Sequence, residues 1–188
     1  MKTLFTCVCS LAVMCLVISA AGAADLEDGF MGIQWESPVA RQEGLSRLYQ
    51  KQNVVYYIQP HIVHTIHDIP VSNVVYGFYD DKFFAVYIRL ESEEVFGEFR
   101  KYLKSKYGIP DTTVSTKTGE TVLKWKHGDI KIKLKTKEQN YRMKLAFYYI
   151  PLSKKVNKEQ LEKFHEKSIQ FFPIKKNERP EMMPLLRF

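Results

Sequence analysis

The sequence predicts an α+β fold: an antiparallel sheet built from β-hairpin and meander units, with one central helix and a C-terminal helix. Two runs rich in β-branched and aromatic residues, 74–79 and 83–90, flank the polar Asp80, Asp81 and Lys82 and read as a tight hairpin. Directly after them, apolar residues recur at helical spacing up to Tyr107. Later, from Leu123 to Phe147, apolar and basic residues alternate with a period of two.

In the hairpin's second run, Phe84, Val86, Ile88 and Leu90 are expected on one face and Arg89 on the other. Gly77, inside the first run, marks a bulge or a close approach by another group. Ser92 is the expected N-cap, and Glu93 and Glu94 suit the positive end of a helix dipole. Val95 or Phe96, then Phe99, Leu103 and Tyr107 give the apolar stripe, with Phe99 and Leu103 meeting the hairpin. Gly108 takes the position after the helix and Pro110 prevents its continuation.

At the start, Lys2 supplies a positive charge, 4–18 is apolar, and Ala21-Gly22-Ala23 has the small-x-small pattern of a cleavage site. Residues 1–23 therefore read as a secretory signal peptide, with export to the periplasm or the extracellular space. Cys7, Cys9 and Cys15 all fall inside it, so the mature chain is expected to carry no thiol, which excludes disulfides and cysteine chemistry. The remaining chain suits one α+β domain over 24–152, followed by a C-terminal helix and tail over 153–188. No later run is long and apolar enough to span a bilayer. The whole chain carries a formal net charge of +7, and its mature part stays basic.

Ahead of the hairpin, Trp35 with Phe30 and Ile33 reads as a core plug. Ser37-Pro38 opens a short helix to Arg41, and 54–58 is a strand ended by Pro60. Behind the central helix, 112–120 reads as polar and turn-like. Leu123 and Trp125 then oppose Lys124 and Lys126; after a turn at His127-Gly128-Asp129, Ile130, Ile132 and Leu134 oppose Lys131, Lys133 and Lys135. In a third strand Met143, Leu145 and Phe147 oppose Arg142 and Lys144. Pro151 closes the sheet, and Asn157 with Gln160 has the spacing of a capping box for the last helix. The order of elements suggests two hairpin layers around one helix.

Gly32-Ile33-x-Trp35, Tyr76-Gly77-Phe78-Tyr79 with Lys82-Phe83, Lys106-Tyr107-Gly108-x-Pro110 and the Trp125 strand, in this order, resemble an uncharacterised family of small exported bacterial proteins. The likeness covers roughly residues 30–152. It implies a periplasmic or envelope setting, and no activity or site residues come with it.

Catalytic signatures are sparse. No G-x-S-x-G elbow or phosphate-cradling glycine loop is present, and the carboxylate pairs Glu93/Glu94 and Glu162/Glu166 fall on predicted helix faces. The reading leans against an enzyme and expects no cofactor, with an uncharacterised hydrolase as one alternative. His61, His64 and His67 form the one cluster with metal-ligand character, and a periplasmic metal-binding protein is the other. On a helix these histidines would share a stripe; the β-branched residues between them favour a strand, on which His64 points away from its neighbours.

Lys124, Lys126, Lys131, Lys133, Lys135, Arg142 and Lys144 are the candidate binding residues, for on adjacent strands they share the outer face. A one-sign field suits an envelope protein or an anionic lipid or glycan surface. Nucleic acid is not expected, since the chain reads as exported and these lysines are not interleaved with exposed aromatics. The same lysines also serve solubility and guard sheet edges.

Overall fold

The computed structural model describes residues 26–137 and 142–170, with side chains up to Glu162. The segment expected to be a signal peptide, its cysteines and the tail beyond Gln170 lie outside the described residues.

The chain opens with a small hairpin, β1 (Gly29–Phe30) and β2 (Ile33–Gln34), and a 3-10 turn over Val39–Arg41. Next come β3 (Ser46–Lys51), β4 (Val54–Ile58), the short pair β5 (His64–Ile66) and β6 (Ile69–Val71), then β7 (Val74–Tyr79) and β8 (Lys82–Leu90). Helix α1 (Glu93–Tyr107) leads to β9 (Asp111–Ser115), β10 (Glu120–His127), β11 (Ile130–Lys137), β12 (Arg142–Tyr149) and α2 (Ile150–Gln170). Eight of the strands form one antiparallel sheet, in the order β3-β4-β7-β8-β12-β11-β10-β9. The hairpin and the meander are thus not two layers: β12 returns to pair with β8, Leu145 against Ile88 and Phe147 against Val86.

Local chemistry explains the turns and the helix. Asp80 and Asp81, with φ of 45° and 64°, make the two-residue connection between β7 and β8, a conformation that aspartate tolerates and that matches the strand twist. Gly128, at φ 52°, turns β10 into β11. Ser92 accepts from the Val95 amide at 3.2 Å, and Gly108 leaves α1 at φ 81°.

Helix α1 lies on one face of the sheet, and its buried Phe99 and Leu103 join Val86, Ile88, Leu90, Ile132 and Leu145 in the main core. Trp35 belongs to this core. Its ring stacks on Phe83 at 4.7 Å and 8°, and its Nε1 donates to the Leu26 carbonyl at 2.9 Å. The segment is held there by backbone bonds from Glu36 N to Phe83 O and from Phe83 N to Ser37 O. Trp125 donates to the Gly108 carbonyl at 2.8 Å, tying the end of α1 to β10.

Three expectations change. Phe84 does not share a face with Val86, Ile88 and Leu90: Gly77 pairs with Ala85 and Phe78 with Phe83, so Phe84 is the extra residue of a β-bulge. Phe83 takes its place in the α1 core, and Phe84 packs on the opposite face with Val54, Tyr79 and Ala85. Residues 111–115 are not a turn but the edge strand β9, paired with β10 from Asp111–Lys124 to Ser115–Glu120. The last helix starts at Ile150, before the capping-box signal, with Pro151 in a first turn where its missing amide proton costs nothing. Leu152 and Val156 of α2 cover the Phe84 cluster.

Candidate functional site

The sheet face opposite α1 is only partly covered. Helix α2 closes the part near Val54, Tyr79 and Phe84, where the Tyr79 hydroxyl bonds the Glu159 carboxylate and Asn53 donates to Glu159 at 3.3 Å. The remainder carries the basic residues. Across the strands, Lys124 stands opposite Lys133 and Lys126 opposite Lys131. Lys135 stands opposite Lys144, and Lys144 opposite Arg89. Arg142 follows the same alternation and lies opposite Lys137. The register thus brings together on one face the residues that the alternation selected, and adds Arg89 and Lys137.

Like charges directly opposite one another destabilise a sheet by a few tenths of a kcal/mol to about 1 kcal/mol each. Among the described residues, carboxylates relieve this at the β9–β10 end: Lys135 pairs with Glu120 at 3.0 Å, and Asp111 stands opposite Lys124. Lys124 also donates to Thr113 at 2.9 Å. Lys131, Lys133 and Lys135 are half-buried rather than fully solvated. Burial, and then the charges of Lys131, Lys135 and Lys124, hold the Lys133 amine below its ordinary value.

Beside these lysines lies a row of tyrosines. Tyr49 stacks on Tyr56 at 4.4 Å, Tyr56 meets Tyr87 at 5.8 Å, and Tyr87 meets Tyr148 edge to face at 5.5 Å and 85°. The Lys133 ammonium stands 5.1 Å from the centre of the Tyr148 ring. Burial pushes the Tyr148 hydroxyl up to about 12, and burial followed by the neighbouring Tyr148 and Tyr56 raises that of Tyr87 further. Two hollows open along this row. One, of about 640 Å³, is bordered by Tyr49, Tyr56, Tyr87, Arg89 and Lys144. The other, of about 210 Å³ and beside α2, is bordered by Lys51, Tyr56, Tyr87, Lys131, Lys133 and Tyr148. Tyr56 and Tyr87 border both, so the hollows are neighbours, and no carboxylate lines either of them among the described residues.

The lysine alternation does not reveal these tyrosines, because Tyr49, Tyr56 and Tyr87 come from β3, β4 and β8, outside the meander. One signal was present in the sequence: Tyr87 alternates in step with Arg89, and Tyr148 with Lys144.

The histidines take separate roles. His61 is exposed at φ 63° in the turn after β4. His64, in β5, places Nε2 3.1 Å from the Tyr76 hydroxyl, and burial lowers its basicity. His67, in the β5–β6 turn, stacks on Tyr102 of α1 at 4.5 Å. Among the described residues no group of three or more His, Cys, Asp or Glu is placed to hold a metal ion. No helix among them is long and apolar enough to cross a membrane. The chain matches no family model, no curated protein and no solved structure.

Proposed function

We propose that this is an exported envelope protein without catalytic activity, which binds a protein or other anionic partner through the basic face of its sheet. The observation that carries the reading is the row of like-charged cross-strand pairs, Lys124–Lys133, Lys126–Lys131, Lys135–Lys144 and Lys144–Arg89. Solubility alone is served as well by interspersed charges of both signs, which would avoid that repulsion. An anion seated on the face removes the repulsion, so binding gains the energy that the empty face lacks. Export and the envelope setting rest on the leader-like residues 1–23 and on the motif resemblance.

The test is binding to vesicles of phosphatidylglycerol and of phosphatidylcholine, at low and at high salt, for the parent and for a variant with Lys124, Lys126, Lys131 and Lys144 changed to Gln. The reading expects binding to the anionic vesicles alone, weakened by salt and by the substitutions. Absence of binding at low ionic strength, or binding indifferent to the four substitutions, sinks it.

A further inference from the structure

The two hollows along the tyrosine row are more selective than a flat charged surface. Five strand positions contribute cations to their walls: Lys51, Arg89, Lys131, Lys133 and Lys144. From β4 to β11 the row crosses four strand spacings, about 19 Å. Amides join the cations on the walls, Gln59 and Asn73 in the hollow with Arg89 and Lys144, and Asn157 and Gln160 in the one with Lys131 and Lys133.

The rings are not arranged as a stacking platform. Tyr49 covers one face of Tyr56, Tyr87 and Tyr148 meet edge to face, and Lys133 sits over Tyr148. Tyr49 alone of this row is largely open, at 51% exposure. A run of nucleobases needs successive free ring faces; this row offers hydroxyls, amides and ammonium groups instead. The chain's own tail does not suit the site, because Lys175, Lys176, Arg179 and Arg187 outnumber Glu178 and Glu181 there. A second copy, itself at net charge +7, brings charge of the same sign.

We propose that this groove binds a phosphate-bearing oligosaccharide, with Lys131 and Lys133 in one hollow and Arg89 and Lys144 in the other holding phosphate, and the tyrosine hydroxyls and amides of the walls bonding sugar hydroxyls. Lysine supplies four of the five wall cations, and its compact ammonium binds phosphate as a point charge. The inference rests on the anionic-partner reading and narrows it to one ligand class and one part of the face.

Titration calorimetry on the full chain with its leader removed tests it, using mannopentaose phosphate, mannopentaose, oligogalacturonate, inorganic phosphate and oligothymidylate. The phosphorylated sugar is expected to bind at least about tenfold more tightly than each of the others. Tyr87→Phe and Lys133→Gln are expected to weaken it by about tenfold without loss of thermal stability, Lys133→Arg to restore it, and Arg100→Gln, on α1, to leave it unaltered. Equal binding of oligogalacturonate or of inorganic phosphate overturns the phosphate or the saccharide assignment. Tighter binding of oligothymidylate overturns the class. If no saccharide binds while anionic vesicles still do, this inference fails and the broader function stands; if neither binds, both fail.

Discussion

Lys126 and Lys131 face each other directly across the β10–β11 ladder, two positive charges with no carboxylate opposite either. Their repulsion opposes folding while the face is empty. Lys126→Glu converts the pair into an attractive one and is expected to raise stability by about 0.2–1 kcal/mol at low salt, less at high salt. The same variant is expected to bind anionic vesicles more weakly. Urea unfolding and vesicle sedimentation on one preparation measure both; a variant that loses stability, or gains binding, contradicts the account of the face.

Gly77 leaves room for Phe84 and Tyr87 to pack beside β7. A Cβ built there lies 3.2 Å from Phe84 Cε1 and 3.4 Å from Tyr87 Cε2, at the bulge that sends Phe84 under α2. Gly77→Ala is expected to cost about 1–3 kcal/mol through overpacking. Because the nearest ring is Phe84, with Tyr87 next to it, near-ultraviolet circular dichroism should change along with the urea midpoint. A neutral Gly77→Ala would mean that the bulge relaxes freely.

The buried tyrosines and Lys133 give opposite slopes with pH. Burial pushes Tyr76 and Tyr148 up to about 12 from 10.0, so the stability linked to each is complete below the unfolded value and is lost as pH rises toward the folded one. Lys133 is shifted down from 10.5, first by burial and then by Lys131, Lys135 and Lys124. The folded state therefore resists charging it, and stability rises with pH between its folded value and 10.5. Urea midpoints should pass through a maximum on the alkaline side and fall as pH climbs past 10 toward 12. Lys133→Gln should remove the rise and leave the fall. Tyrosinate absorbance followed in parallel should stay low until the fall begins.

Much of this architecture is local and legible in the chain itself. Serine at 92 and glycine at 108 bound α1 because an unsatisfied helix end needs an acceptor and an exit conformation, and both act within a few residues. The lysine alternation declared its own face, since a period of two admits one partition. Phe84 broke that rule for a non-local reason: one extra residue in β8, tolerated because Gly77 leaves room across the ladder, reverses the parity.

By itself, then, the sequence determined the β7–β8 and β10–β11 hairpins, α1, and which side of each meander strand is basic. Tertiary structure decided that hairpin and meander form one sheet, because β12 pairs with β8 across α1 and the three intervening strands. It also decided that Tyr49, Tyr56, Tyr87 and Tyr148 stand beside the lysines. Strand order follows from which apolar faces bury one another best, a property of the whole core that no local pattern contains.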